Sequence, residues 1–349
     1  MSRSRELALT GGLLCAAAAI LGVPALYVPG IGALLATAAA WAWVGFSARA
    51  AQPELKCSSA SVEEDDPVEV RVSIGRPAVP FPGGSLRPWP GGEEHPLPAG
   101  LRPLEISARA LAGRRGRHDV GPASLRVSDP FGLCVRERLS GAVELLVLPR
   151  IHRLDSAALA FLDGAGRSAP DAPQALDSLQ AHRPGSPASR IHWPTVARSG
   201  ELMEHSLRPE DDARVLIRVD TARADSPEAL DLAVRAAASL CFHLARRGGC
   251  LVALGDDPRP TLLGADMRSW PGLHARLALL GAGSALRPMR SARRGVSVIH
   301  VTAAADGEPA TAGPHLRIGA LPLPGIPTIF ELAGCAAQHL DGRSARRAA

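Results

Sequence analysis

The run Arg214-Val-Leu-Ile-Arg-Val-Asp220 lies just past the middle of a 349-residue chain. It is short, rich in Val, Leu and Ile and ends in an acid, which is typical of a buried central strand that leads into a loop. Next, Ser226-Pro227-Glu228 supplies an N-cap, a proline at the first helical position and an acid in the first turn. Apolar residues then recur at helical spacing until Arg246-Arg247-Gly248, whose positive charge and glycine favour a helix end. We therefore predict a buried strand followed by an amphipathic helix.

Strands and helices continue to alternate towards the C-terminus. Residues 250–254 and 296–302 are short apolar runs that predict strands, and residues 271–280 predict a helix. For residues 328–340 we predict a final short strand and helix. Such alternation favours a doubly wound parallel sheet, so residues 213–349 are interpreted as one α/β domain.

An arginine-rich run, Arg183-Pro-Gly-Ser-Pro-Ala-Ser-Arg190-Ile-His-Trp193-Pro-Thr-Val-Ala-Arg198-Ser-Gly200-Glu-Leu202, precedes this domain. No catalytic motif fits the pattern. Arg and Trp are enriched at binding hot spots, so this segment, within residues 151–212, is predicted to bind a partner. The candidate residues are Arg183, Gly185, Arg190, Trp193, Arg198 and Glu210. The alternative is structural, with Trp193 packed on the next domain. In that case Arg190 and Arg198 would pair with a nearby acid, namely Glu201, Glu204 or Glu210.

The run and the strand after it resemble the signature of the DUF58 protein family. That signature is an arginine-rich turn with Pro-Gly, then Arg-x-Ile-x-Trp, Ala-Arg-x-Gly-x-Leu, a Glu and a strand that ends in Asp. The matching positions are Pro184, Gly185, Arg190, Ile191, Trp193, Ala197, Arg198, Gly200, Leu202, Glu210 and Asp220. The chain departs from the family pattern at residues 180–182, where Gln-Ala-His replaces Arg-Glu-Tyr, and at residues 186–187, where Ser-Pro replaces an acidic pair.

This resemblance implies a von Willebrand factor A-like fold for the C-terminal half. It also implies a MoxR-type AAA+ ATPase as partner and, in some cases, a transglutaminase-like membrane protein. Domains of that fold bind a divalent cation through Asp-x-Ser-x-Ser at the end of the first strand, because an acid and two hydroxyls are hard oxygen ligands. Here the run is Asp220-Thr-Ala222-Arg-Ala224, in which both serines are replaced by alanine. We expect no metal at this degenerate site, and we expect Asp220 to cap a turn or to pair with an arginine.

The N-terminal segment is a candidate membrane anchor. Residues 7–48 contain no Asp, Glu, Lys, Arg or His, a length sufficient for two membrane helices of roughly 20 residues each. A break is predicted at residues 23–30, since prolines and a Pro-Gly pair interrupt a helix there. The apolar region is too long for a cleaved signal peptide, in which it spans about 7–15 residues. Residues 1–52 are therefore interpreted as two transmembrane helices in the lipid bilayer.

Flanking charges predict how this hairpin is oriented. Arg3 and Arg5 precede the first span, Arg49 and Lys56 follow the second, and the loop between the spans is uncharged. The positive-inside rule then places both chain termini in the cytoplasm, with the protein in the cell membrane.

Residues 53–150 change to short alternating stretches separated by Pro and Gly. The stretches predicted as strands with one buried face are residues 68–74, 104–110, 124–128 and 143–148. Together they favour a small β-sandwich. Residues 75–103 hold so many prolines and glycines that we predict a long irregular loop there.

Composition excludes several classes of protein. The formal net charge is +5, but the arginines are scattered, so we predict no nucleic-acid partner. Lys56 is the only lysine, which excludes a phosphate-binding Gly-Lys loop, a Schiff base and a Ser-Lys catalytic pair in the folded domains. The six cysteines and eleven histidines form no familiar metal motif. No Gly-x-Ser-x-Gly or glycine-rich dinucleotide motif occurs, and we predict no cofactor.

These observations predict a non-enzymatic, membrane-anchored interaction protein with an α/β module. A divalent-cation-dependent receptor of the von Willebrand factor A type is the first alternative. A hydrolase with an unrecognised site is the second.

Overall fold

The structure is a computed structural model that describes residues 2–76, 79–167, 179–181, 191–205, 215–222, 224–255, 259–282, 296–304 and 315–340. The chain divides into two compact units, Met1–Val147 and Leu148–Ala349. Each unit has a hydrophobic core of its own.

The N-terminal unit begins with two long apolar helices, α1 (Ser2–Leu21) and α2 (Tyr27–Ala50), separated by a short 3-10 turn at Pro24–Leu26. By length and composition, both helices could cross a membrane, and the predicted break between them is confirmed. Their backbones approach closely: a Cβ atom on Gly11 would lie 2.8 Å from the carbonyl oxygen of Gly30. Small residues thus allow α1 and α2 to pack as an antiparallel hairpin.

Among the described residues of this unit, ten strands follow α2 and form three small sheets, ordered β1-β3-β6, β2-β10-β7 and β5-β4-β8-β9. The strands are β1 (Pro53–Cys57), β2 (Ser61–Glu63), β3 (Pro67–Ile74), β4 (Gly84–Arg87), β5 (His95–Leu97), β6 (Leu104–Leu111), β7 (Gly116–Val120), β8 (Ser124–Ser128), β9 (Val135–Leu139) and β10 (Val143–Leu148). All three sheets and the last turns of α2 contribute side chains to one core. The four strands predicted from alternation are confirmed as β3, β6, β8 and β10.

The prediction of an irregular loop over residues 75–103 is wrong, because β4 and β5 form there. Strand β4 pairs with both β5 and β8. At Gly84, φ is +155°, and a Cβ atom would lie only 1.9 Å from the carbonyl oxygen of Arg126. The glycine that suggested a loop is instead required for the close approach of two strands.

The C-terminal unit contains a seven-stranded sheet ordered β15-β14-β13-β16-β17-β19-β18 and a separate pair, β11-β12. Its strands are β11 (Leu179–Ala181), β12 (Met203–His205), β13 (Val215–Asp220), β14 (Cys250–Leu254), β15 (Thr261–Leu263), β16 (Ser297–Thr302), β17 (His315–Gly319), β18 (Thr328–Leu332) and β19 (Cys335–Leu340). Its helices are α3 (Ser156–Arg167), α4 (Trp193–Ser199), α5 (Pro227–Gly248) and α6 (Trp270–Ala278). The predicted strands β13, β14 and β16 and the predicted helices α5 and α6 are confirmed.

The large sheet is mixed rather than wholly parallel. Its four central strands, β14, β13, β16 and β17, run parallel. Strands β15, β19 and β18 are added antiparallel at the two edges. Within the described residues, helices α3, α5 and α6 all pack into one core with the same face of the sheet, so a second helical layer is not among the elements described. The α/β class is confirmed, and the sheet departs from the all-parallel arrangement that alternation alone favoured.

Residues 328–340 form the hairpin β18-β19, so the predicted strand and helix are wrong there. The turn consists of Ala333 and Gly334, both with positive φ (52° and 81°), as in a tight two-residue hairpin turn. Alanines at 336 and 337 favour a helix locally. Pairing of β19 with both β17 and β18 outweighs that preference.

Candidate functional site at the carboxyl ends of the parallel strands

Strand β13 lies at the point in the sheet where the order of strands reverses. The chain leaves β13 through α5 and returns as β14 on one side, whereas β16 pairs with β13 on the other side. In open α/β sheets, ligands bind outside the carboxyl ends of the strands at such a reversal. Asp220 ends β13 and Thr302 ends β16, and they are cross-strand partners at this edge.

The carboxylate of Asp220 is held in place from two sides. Its Oδ1 atom accepts a hydrogen bond of 3.0 Å from the backbone N–H of Ala222, so it caps the turn after β13. Its Oδ2 atom lies 3.8 Å from Nε2 of His300, which is an ion-pair distance and too long for a hydrogen bond. The side chain is 26% exposed, so the carboxylate remains accessible at the sheet edge.

Opposing effects act on the pKa of Asp220. Partial burial raises this pKa, because a charged carboxylate loses hydration. The interaction with His300, the N–H of Ala222 and the positive charge of Arg218 together outweigh burial and lower the pKa below the usual Asp value. Asp220 is therefore ionised at neutral pH.

A row of buried polar residues crosses the sheet just behind this edge. Its members are register partners on four adjacent strands, so their side chains point to the same face: Arg218, His300, Arg317 and Gln338. Each of the four is less than 5% exposed. This face lies opposite the helices, whose core takes the alternate residues of the same strands. We refer to these four residues as the polar row.

Hydrogen bonds connect the polar row to nearby loops. Gln338 accepts a hydrogen bond from the N–H of Leu323 and donates to the carbonyl oxygens of Leu323 and Ile326. Arg317 donates from Nη1 to the carbonyl of Leu321 at 3.0 Å and from Nη2 to that of Ala304 at 2.8 Å. Since Ala304 follows β16 and Leu321 follows β17, this one guanidinium joins the segments after both strands.

Gly319 makes room for the guanidinium of Arg317. A Cβ atom at position 319 would lie 2.6 Å from Nη1 of Arg317 and 2.7 Å from Cζ and Nη2. The charge is thereby brought to the carboxyl-terminal edge of the sheet, two residues beyond the Cα of Arg317. The partly exposed carboxylate of Asp220 therefore lies at an edge behind which basic side chains are buried.

Two of the residues predicted to bind a partner are described. Trp193 begins α4, and its side chain is 60% exposed, so most of its surface does not pack against the chain. Arg198 lies in the last turn of α4, is exposed, and forms no ion pair with the residues that the structure describes. The turn after α4 uses Gly200 at φ +73°. The remaining four candidates, Arg183, Gly185, Arg190 and Glu210, lie outside the described residues.

The degenerate cation motif offers few ligands. Ala222 and Ala224 supply no side-chain oxygen, and in the described part of the chain no group of three or more His, Cys, Asp and Glu side chains is arranged to hold a metal ion. Asp220 is the acidic side chain of that motif, and its Oδ1 atom already accepts the N–H of Ala222.

Sequence reasoning missed the polar row. A signal was present in Ser297-Val-Ile-His-Val-Thr302, where His300 and Thr302 alternate with Ile299 and Val301, as in a strand whose end has one polar face. Strand β17 was not predicted, so its buried arginine could not be assigned to the same face.

The chain matches no protein-family model, and comparison with curated proteins gives no match.

Proposed function

We propose that the protein is a membrane-anchored, non-enzymatic interaction protein of the DUF58 type. In this proposal α1 and α2 form the anchor, and the C-terminal unit is a von Willebrand factor A-like domain that binds another protein. The observation that carries the proposal is the exposure of Trp193 on a seven-residue helix that also bears Arg198.

An exposed tryptophan favours a binding role because its large apolar surface remains in contact with water in the free protein. Trp and Arg are the residue types most often found at binding hot spots. Leu202, three residues after α4, is also 49% exposed and extends the apolar surface. In the described residues Arg198 has no carboxylate partner, so its charge is available to an acidic group on another protein.

The arrangement of strands supports the finer description of the fold. A central strand that ends in Asp220, parallel neighbours on both sides and antiparallel strands at the edges resemble a von Willebrand factor A domain. The family resemblance then suggests a MoxR-type AAA+ ATPase as partner. A transglutaminase-like membrane protein is the further partner that this resemblance suggests.

The test is retention of the MoxR-type ATPase of the same genome by the tagged full-length chain in detergent. We expect the wild type to retain it and the variant Trp193→Ala/Arg198→Ala to bind at least tenfold more weakly, since loss of a hot-spot residue costs about 2 kcal/mol. The matched control is Arg259→Ala/Leu279→Ala, which removes an exposed arginine and an exposed apolar side chain elsewhere in the same unit.

Two results would count against the proposal in different ways. If the wild type does not retain the ATPase, the assignment of the partner is wrong. If the Trp193→Ala/Arg198→Ala variant retains it as well as the control does, the α4 segment is not the binding surface.

Calorimetry separates this proposal from the cation-dependent receptor. We expect titration of Mg²⁺ or Mn²⁺ into the full-length chain to give no saturable heat, because only Asp220 remains of the three side-chain ligands. Tight binding that Asp220→Asn abolishes would favour the receptor instead.

A further inference from the structure

A groove in the N-terminal unit runs between the last turns of α2 and strand β9. Its volume is about 240 Å³, and its charged lining residues are Arg49, Arg136, Glu137 and Arg138. Trp41 lies at one side of it. We propose that this groove binds the phosphate of an anionic phospholipid headgroup, an inference that rests on the proposed insertion of α1 and α2 into a membrane.

The alternation of β9 concentrates positive charge in the groove. Arg136 and Arg138 are two residues apart on the strand and so share a face, while Glu137 lies between them on the other face. The Glu137 carboxylate accepts a hydrogen bond from the hydroxyl of Ser124. It is therefore directed towards β8, although Glu137 also contributes to the lining.

Two of the arginines are positioned by contacts with α2. Arg138 donates a hydrogen bond of 2.9 Å from Nε to the carbonyl oxygen of Ala48. This carbonyl is in the last turn of α2, where the helix itself supplies no partner for it. The guanidinium of Arg136 lies over the ring of Trp41, 5.7 Å from its centroid. These contacts hold both side chains against the helix and leave guanidinium N–H groups to bind an anion.

The groove carries an excess of positive charge, because three arginines line it against one carboxylate, that of Glu137. Arg49, Arg136 and Arg138 form no ion pair with any residue that the structure describes. A planar guanidinium with parallel N–H donors matches the geometry of a phosphate group. Charge complementarity thus favours a phosphate-bearing ligand over a neutral one.

The helix hairpin places further arginines at the same level. Gly11 faces Leu34, and Gly30 faces Cys15, so the antiparallel register brings Arg3 and Arg5 level with Trp41. Arg3 also reaches the turn before β9, with Nη1 lying 3.8 Å from the position of a Cβ atom on Gly132. Arg3 and Arg5, with Glu6 next to them in sequence, therefore lie near the Trp41 end of the groove.

Aromatic side chains identify this level as that of lipid headgroups. Trp41 and Phe46 are 57% and 59% exposed although they lie next to the groove. Aromatic rings are enriched where hydrocarbon gives way to headgroups, and arginine clusters just beyond a membrane helix bind anionic lipids. The ligand is therefore a lipid of the adjacent leaflet, with phosphatidylglycerol as the simplest probe.

The experiment compares three ligands on the purified full-length chain in a nonionic detergent. Native mass spectrometry measures the binding of short-chain phosphatidylglycerol, short-chain phosphatidylcholine and inorganic phosphate. We expect phosphatidylglycerol to bind at least tenfold more tightly than either of the others. Equal binding of the two lipids would overturn the inference, and inorganic phosphate that binds as tightly as phosphatidylglycerol would overturn the assignment to a lipid.

Variants locate the binding to the groove. Arg136→Gln and Arg49→Gln, each monodisperse in detergent, should reduce the preference for phosphatidylglycerol at least threefold. Arg109→Gln, an exposed arginine of β6 with the same change in charge, should leave it unchanged. A preference that survives both groove substitutions would exclude this site, and so would an equal loss in Arg109→Gln.

Vesicle flotation distinguishes failure of this inference from failure of the anchor. A chain that floats with phosphatidylcholine vesicles but shows no lipid preference keeps its anchor and lacks the headgroup site. A reconstituted chain that does not float contradicts membrane insertion itself, and the inference falls with it.

Discussion

At the scale of single residues, the candidate site depends on charges that are buried but not isolated. Arg317 is 2% exposed, and burial of a guanidinium is costly unless its N–H groups find acceptors. Two backbone carbonyls accept hydrogen bonds from Nη1 and Nη2, and Gly319 leaves space for the guanidinium. Arg317 and Gly319 are therefore structurally coupled at the edge of the sheet.

Gly319→Ala tests the coupling of Arg317 and Gly319. The new methyl group would collide with the guanidinium, so Arg317 would lose its two carbonyl acceptors or the strand would shift. We expect a loss of about 2 kcal/mol in the free energy of unfolding, within the usual cost of overpacking. Gly281→Ala is the control, because no atom lies within 4 Å of its new Cβ. Equal thermal stability of the two variants would show that Arg317 is not fixed as described.

Asp220 predicts a dependence of stability on pH. Its pKa is lowered in the folded protein from the ordinary value of 3.8, so the ionised group stabilises the fold above that pH. This contribution is lost as the pH falls through the lower pKa of the folded state. We expect Asp220→Asn to destabilise the protein by about 1 kcal/mol at pH 7, and the difference from wild type to shrink below pH 4. Denaturant unfolding at both pH values measures it, and a difference that is constant with pH would contradict the lowered pKa.

At the scale of secondary-structure elements, two different devices stabilise the helices. Helix α5 is capped at its N-terminus by Ser226, whose hydroxyl accepts the N–H of Ala229 at 3.1 Å. The α1-α2 pair depends instead on small residues that let two backbones approach. The first device is local in sequence, whereas the second needs both helices in place.

Ser226→Ala should destabilise the C-terminal unit by about 1 kcal/mol, because one N–H of the first turn loses its acceptor. Ser269→Ala is the matched control, since Ser269 stands at the N-cap of α6 without a side-chain hydrogen bond. Ser226→Asp should restore most of the loss. Thermal unfolding of the four proteins provides the measurement, and equal effects of the two alanine substitutions would exclude a role for the cap.

Gly30→Ala should weaken the packing of α1 against α2. Its Cβ would lie 2.6 Å from Sγ of Cys15 and 3.0 Å from the carbonyl oxygen of Gly11, so the helices would have to separate. We expect a lower melting temperature in detergent and a cost of about 1–3 kcal/mol. Gly32→Ala, two residues further along α2 with nothing within 4 Å of its new Cβ, should not lower the melting temperature. A stable Gly30→Ala variant would mean that the hairpin is looser than the structure indicates.

At the scale of the whole molecule, the chain consists of two compact units that each have a core, and the first unit begins with an apolar helix hairpin. The positive charges near both ends of the hairpin are the basis for its expected orientation. The headgroup site proposed above uses the same charges, so the two proposals share a physical cause.

A reporter fusion tests the orientation. Green fluorescent protein fused after residue 349 should fluoresce, and alkaline phosphatase fused at the same point should be inactive, because both ends of the hairpin are expected in the cytoplasm. The same pair of reporters fused after Ala51 should behave in the same way. An active phosphatase at either point would reverse the predicted topology.

The local pattern of residues was sufficient to predict the helix pair, α5 with its cap, and strands β3, β8, β13 and β14. In each of these, the period of apolar residues and the capping residues lie within the element itself. The local pattern predicted a loop where β4 forms, because Gly84 is used there for a close strand contact. It predicted a helix where β19 forms, because strand pairing outweighs the helix preference of the alanines.

Sequence by itself therefore determined the apolar hairpin, the α/β alternation and the loss of both motif serines after Asp220. Only the tertiary structure brought Arg218, His300, Arg317 and Gln338 into one row and left Trp193 exposed. The physical reason is that periodicity and capping act between residues a few positions apart. Strand register and burial depend instead on contacts between segments that are distant along the chain.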